Sequence, residues 1–265
     1  MNRNTLFLII FFNIFFVLHA SNAKQRITNP ERGDGFGAQF QTTIFSVIFA
    51  ELNGFDFVYT PFKNMEHNYD NDPQFIAKKE WLINFIDNFE LNNGDAPRQD
   101  MGKMIQFFES HLTECAQSQS LKKIKEIFRK NKNVRNYFDK DHLNIVIHIR
   151  RPNSHDSRID GTNTPDELFL NIIDQLRILY SDKNPLFHLH SQGDKENFKN
   201  YSAPDIVLHL NESTEDSFTE MVLADVLVTS RSSFSYTAGI LSQGTVYYMP
   251  FWHPPLPGWI SLGNT

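Results

Sequence analysis

The chain has 265 residues, which suits one large α/β domain or two small ones and excludes a peptide or a disulfide-stapled mini-protein. Hydrophobic residues at 40% and charged residues at 21% exclude a mainly disordered chain, and 25 Phe can fill a sizeable core. A formal net charge of −6 argues against a protein whose main partner is the nucleic-acid backbone, and leaves room for a small anion in a local basic pocket.

Residues 1–23 read as a leader. Arg3 gives a positive start, Leu6 to Leu18 is an apolar run broken by Asn13, and Ser21-Asn22-Ala23 places small residues before a cut at Lys24. This is the layout of a secretory signal, with an uncleaved signal anchor as the competitor; the run is shorter than the ~20 residues a membrane span prefers. The expected address is the ER or Golgi lumen, or secretion, with membrane contact only through an uncleaved leader. Cys115 is the only cysteine, so an intrachain disulfide and a thiolate zinc cage are both excluded. Asn200-Tyr201-Ser202 and Asn211-Glu212-Ser213 fit the N-glycosylation pattern, a weak signal in the same direction.

A glycine cluster, Gly33-Asp34-Gly35-Phe36-Gly37, precedes a predicted helix over 40–52, stopped at Asn53-Gly54. Residues 55–60 read as a strand ended by Pro61. A helix is expected over 75–91, with Ile76, Trp81, Leu82, Phe85, Ile86 and Phe89 facing inward, then a loop over 92–97 and helices over 101–113 and 121–131. The last carries a run of Lys and Arg that reads as a solvated face. From Leu143 the rhythm is regular. Strands over 143–150, 186–190, 206–210, 226–229 and 245–249 alternate with helices over 165–180, 195–201, 217–223 and 234–241. Strands separated by helices imply β-α-β units, a parallel sheet and a Rossmann-like layer. The boundary between two regions is placed near 133–140, giving 24–138 and 139–265.

Three segments carry chemistry. In Ile147-His148-Ile149-Arg150-Arg151, His148 and Arg150 alternate onto one strand face and Arg151 opens the following loop. Two arginines at the carboxyl end of a parallel strand suit a diphosphate, because a guanidinium forks onto paired oxygens; two solvated arginines are the bland alternative. Asp225 to Phe234 runs from a buried strand through a hydroxyl-rich turn into a helix, where Ser232 and Ser233 could bind an anion or merely cap the helix. Gly33 to Gln39 allows close backbone approach to a ligand, or is an ordinary turn. Lesser candidates are the acidic pairs Asp70/Asp72 and Asp139/Asp141, better explained as chance acidic loops. His188 and His190 share one strand face but are too few for a metal site. Cys115 has no base beside it, and Gly-x-Ser-x-Gly is absent.

In order and separation the three segments resemble the fucosyltransferase superfamily that includes the α1,2-, α1,6- and protein O-fucosyltransferases. That superfamily has a Gly-rich first loop, an His-x-Arg-Arg motif and a late Ser-Ser turn. The resemblance implies a GT-B-like α/β fold of two Rossmann-like domains facing a cleft, with an acceptor-side domain at 24–138 and a nucleotide-sugar-binding domain at 139–265. It implies metal-independent, inverting transfer from GDP-fucose to a glycan or glycoprotein hydroxyl, with no cofactor. Carried over by position, Arg150 and Arg151 would hold the donor diphosphate, His148 would border it, Ser232 and Ser233 would bind from the helix start, and Gly35 and Gly37 would shape the cleft. The family often follows the arginines with Gly/Thr-Asp. Here Pro152-Asn153-Ser154-His155 intervenes, which leaves Asp156 as the acid, and Glu66 and His67 as further base candidates. The competing expectation is a catalytically inactive relative that binds a glycan or a nucleotide.

Overall fold

The computed structural model describes residues 24–130, 138–151 and 164–263; the leader and Asp156 lie outside them. β1 (Arg26–Ile27) pairs in parallel with β2 (Asp56–Phe57), and isolated parallel bridges join Thr28 to Arg98 and Tyr59 to Leu91. Between these strands runs α1 (Phe36–Asn53). It is buried almost all round, with apolar residues on every face, and its buried Thr42, Thr43 and Ser46 hydroxyls donate to carbonyls one turn back. The helix ends where Gly54 turns left-handed, at φ 72°, and donates its N–H to Ala50 and Glu51.

α2 (Phe75–Ile83) is half the expected length. Asn84 adopts the left-handed conformation (φ 57°) and donates to the Glu80 carbonyl, which closes the helix early. The later residues therefore leave the helical register. Ile86 is 42% exposed, and Trp81, on the helix, is 63% exposed, so neither faces inward as expected. The stretch expected as one helix over 101–113 is broken into α3 (Met101–Ser110), capped by the Asp100 carboxylate, and α4 (Leu112–Gln117). α5 (Gln119–Lys130) follows. Its basic run is not simply solvated: Lys125 Nζ donates to Ser242 O (2.9 Å) and Arg129 Nη2 to Leu241 O (3.0 Å).

The second half forms a six-stranded, wholly parallel sheet: β3 (Leu143–His148), β4 (Pro185–Ser191), β5 (Ile206–Leu210), β6 (Val226–Val228), β7 (Thr245–Tyr248) and β8 (Ile260–Ser261). β8, which has no apolar run, is a strand beyond the five expected. The strands are linked through α6 (Asp166–Leu179), α7 (Thr214–Leu223) and α8 (Ser233–Leu241). Pro165 sits at the N-cap of α6 rather than in its first turn. Lys125 and Arg129 meet the last carbonyls of α8, where cations complement the helix dipole.

The strand order is β5-β4-β3-β6-β7-β8, the order of a doubly wound nucleotide-binding layer. The winding reverses between β3 and β6. Side-chain alternation splits the interior in two. Ile145, Ile147, Val226 and Val228 pack with α6 on one face; Val146, Leu227 and Tyr248 pack with α1, α7 and α8 on the other. That second core contains residues from both sides of position 138, with Phe36 edge-on to Phe218 (5.1 Å) and Phe45 stacked on Phe108 (3.8 Å). No helix among the described residues is long and apolar enough to cross a membrane.

Candidate functional site

The reversal point places the loop after β3 beside the loop after β6, and in open parallel sheets such a point is where ligands gather. Alternation then decides where each side chain of the His148–Arg151 segment goes. His148 points to the α8 side, with Nδ1 2.7 Å from Ser230 Oγ. Burial, reinforced by the Arg150 charge, pushes its pKa down to about 3, so the imidazole is neutral at physiological pH. Arg150 shares that face, and its Nη1 reaches 3.5 Å from Ser232 Oγ at the start of α8. Arg151 goes to the α6 side. It donates to Thr164 O (2.8 Å), pairs with the Asp166 carboxylate, and lies over the Phe198 ring at 5.8 Å. Tyr201 also donates to that Asp166 oxygen (2.8 Å). The two arginines, read in the sequence as one clamp, are thus held by different helices.

The turn after β6 is stitched by its own hydroxyls. Ser230 N–H donates to Ser235 Oγ (3.1 Å), and Met249 N–H to Thr229 Oγ1 (3.0 Å). Ser232 accepts from Phe234 N–H (3.2 Å), so it caps α8; Ser233 begins the helix. The glycine cluster supplies a second helix tip. Gly35 is the N-cap of α1 and has no side chain to offer the free N–H groups, and a Cβ there would lie 2.8 Å from the His67 ring. A Cβ on Gly37 would lie 2.5 Å from Phe234 Cα and 2.6 Å from Phe234 N, closer than any real contact. Thr237 Oγ1 donates to Gly37 O (2.9 Å). The N-termini of α1 and α8 therefore touch, and their positive dipole ends and free N–H groups face one place.

That place is a cleft of about 200 Å³. It is lined by Gly35, Gly37, His148, Arg150, Arg151, Ser232 and Ser233, so every described residue nominated for the donor lies on its wall. Glu66 and His67 line it too, with His67 Nδ1 2.6 Å from the Tyr69 hydroxyl. Among the wall residues not nominated are Arg231, between Ser230 and Ser232, and Trp252, 65% exposed and stacked on Phe251 at 4.4 Å. Arg231 was legible inside the Ser-rich motif; Trp252 belongs to a loop whose path no periodicity reports.

The lesser candidates fall elsewhere. Asp72 pairs with Lys78 (2.7 Å), and Asp139 with His142 (3.1 Å). Cys115 is fully buried, and burial pushes its thiol up to about 12. His188 and His190 do share a face, and the fold brings His209, Glu212 and Glu220 to them from β5 and α7. Burial lowers His188 to about 4 and His190 to about 3, and raises Glu220 to about 7.

No protein-family model and no curated protein matches the chain. Solved structures are similar to it, among them the following three. The fucosyltransferase NodZ from Bradyrhizobium, as the α-1,6-fucosyltransferase co-crystallised with GDP, shares 12% identity over 83% of this chain and 93% of its own, with a TM-score of 0.41. The E. coli heptosyltransferase WaaC with ADP shares 11% over 89% and 92%, with a TM-score of 0.47. POFUT1 in complex with GDP shares 12% over 85% and 98%, with a TM-score of 0.43. Likenesses this distant leave the chemistry of the cleft to be read from its own side chains.

Proposed function

We propose that the protein is an inverting glycosyltransferase that transfers fucose from GDP-fucose to a hydroxyl of a glycan or glycoprotein. The observation that supports this most is the contact of two helix N-termini under Arg150, at the reversal point of the sheet. Two dipole ends and a guanidinium make a site for a diphosphate, and the three motifs' resemblance to fucosyltransferases supplies the sugar nucleotide.

The acceptor oxygen attacks the anomeric carbon as the bond from that carbon to the diphosphate oxygen breaks. Negative charge grows on the departing diphosphate. The N–H groups of α1 and α8, with Arg150 and Arg231, stabilise it more in the transition state than in the ground state. The diphosphate is held by these donors rather than by a bridging cation. Asp166 fixes Arg151 at the rim, and neutral His148 borders the phosphates without adding charge. The exposed face of Trp252 offers a stacking surface for the base or the sugar. Glu66 and His67 on the wall, and Asp156, five positions after Arg151 in the sequence, are the candidates to take the acceptor proton. The leader would carry the chain into the secretory lumen.

A second reading, an inactive relative that only binds, is favoured by one observation: Arg151 is already committed to Asp166. Release of GDP from GDP-fucose, without and with a mixed glycan acceptor, separates the two. Slow release that the acceptor accelerates supports the enzyme. GDP binding without any release supports the binding module.

A further inference from the structure

At the edge of the cleft, where β4 and β5 end against α7, His190, His209, Glu212 and Glu220 each present a donor atom within 4.8 Å of the others. His190 is 1% exposed and Glu220 is buried beside it. Their Nε2 and Oε2 atoms stand 2.7 Å apart, yet the oxygen lies off the direction in which the ring would donate. Neither His190 nitrogen nor Glu220 Oε2 has a hydrogen-bond partner among the described residues. Burying such atoms unsatisfied is costly, so their convergence needs a cause.

A chain of hydrogen bonds behind the cluster sets the tautomers. The Asn144 amide nitrogen donates to the carbonyls of Asp139 (2.9 Å) and His142 (3.1 Å), which leaves Asn144 Oδ1 to accept from His188 Nε2 (3.2 Å). His188 turns its other ring nitrogen, Nδ1, to His209 Nε2 at 3.0 Å, so one proton lies between the two rings. His209 then presents its far nitrogen, Nδ1, to Glu212 Oε1 at 2.8 Å and lies 4.0 Å from Glu220 Oε2. A proton or a metal ion suits the space between those atoms. A proton on His209 Nδ1 would satisfy Glu212 alone and leave His190 and Glu220 without partners. A dication at the centre balances two carboxylates and serves all four once one of the two rings, stacked at 4.5 Å, turns toward it.

We propose that His190, His209, Glu212 and Glu220 bind one divalent cation of the Zn²⁺ class. Two imidazoles and two carboxylates suit zinc, and a tetrahedral ion about 2.0–2.1 Å from its donors spaces them roughly 3.3 Å apart. The pairs at 2.7, 2.8 and 4.0 Å bracket that spacing. His188 and Asn144 are positioning residues: they hold the His209 ring through its Nε2 and leave Nδ1 to face the ion. The ion ties two strand ends to α7. His190 and Glu212 also line the cleft, but none of the four ligands is a residue assigned to the diphosphate, so this inference stands whether or not the donor reading holds.

The test uses the full chain, stripped with a chelator that is then removed, and Co²⁺ as a visible probe. One Co²⁺ per chain should bind with the d–d absorption of a four-coordinate site. One equivalent of Zn²⁺ should displace it and raise the unfolding temperature. Glu212→Gln changes a partly exposed side chain to one of the same size, and should weaken Co²⁺ binding at least tenfold while the protein stays folded. His188→Phe should weaken it about 10–100-fold without touching the ion. Folded wild-type protein with neither the absorption nor a Zn²⁺-dependent shift would overturn the proposal, leaving a shared proton as the positive centre. Unchanged binding in Glu212→Gln would overturn it as well.

Discussion

Gly37 is where the cleft is most exposed to a single-atom change. Its backbone rests on the first turn of α8, and an added Cβ would sit 2.5 Å from Phe234 Cα, 2.6 Å from Phe234 N and 2.9 Å from Ser233 C. All three are backbone atoms, so no rotamer can move aside. Ordinary carbon contacts begin near 3.4 Å, so Gly37→Ala must push the two helix tips apart by roughly 1 Å. Overpacking of that kind costs about 1–3 kcal/mol, and a chain of this size loses about 2–4 °C in Tm per kcal/mol. Thermal unfolding should therefore fall by about 2–12 °C. Calorimetry should show GDP affinity falling further than stability alone explains, because the tips no longer converge on one anion. Gly102→Ala is the control. Its Cβ would meet only the Asp100 side chain, at 3.3 Å, and it lies in helix α3, where Ala is preferred. If Gly37→Ala keeps both the wild-type Tm and the wild-type GDP affinity, the close approach of the helices does not build the site.

Other outcomes follow from particular contacts. Lys79 is buried and pairs with Glu215 at 2.6 Å, joining α2 to α7. Glu215→Gln should cost about 3–5 kcal/mol in chemical denaturation by stranding the ammonium, and adding Lys79→Met should recover part of it. Cys115 should resist thiol reagents at pH 8 until denaturant is added. Its native thiol titrates near 12, above its ordinary 9.0, so its contribution to stability is whole below pH 9 and is lost as pH rises toward 12. Trp252→Ala should weaken nucleotide-sugar binding by about 1–3 kcal/mol, on the scale of base–aromatic stacking, and leave Tm unchanged because the ring is 65% exposed.

The C-terminal sheet was legible because each of its main strands is a short apolar run bounded by polar loops, and alternation of strand and helix admits few topologies. β5, read as 206–210, matches to the residue. β8 was not legible: Ile260–Ser261 is exposed and gains its place only by pairing with Tyr247 and Tyr248. The early end of α2 hinged on one Asn taking a left-handed turn, inside a run whose apolar spacing still looked helical. At the site, motif chemistry led to His148, Arg150 and the serine turn. The same alternation that made the strand readable also sent Arg151 to Asp166, a residue 15 positions on that no local pattern linked to it. The four-residue cluster was invisible for a related reason. It draws on two strands and a helix, and only the sheet's register sets His190 beside His209.

The central claim is that a diphosphate binds between the tips of α1 and α8 under Arg150. A calorimetric titration of GDP into the protein and into its Arg150→Met variant, at matched ionic strength, tests it directly. A charged hydrogen bond of this type contributes about 1.5–3 kcal/mol, so GDP should bind the wild type and bind the variant about 10–150-fold more weakly. Equal affinities, or no heat from GDP with folded wild-type protein, would contradict it.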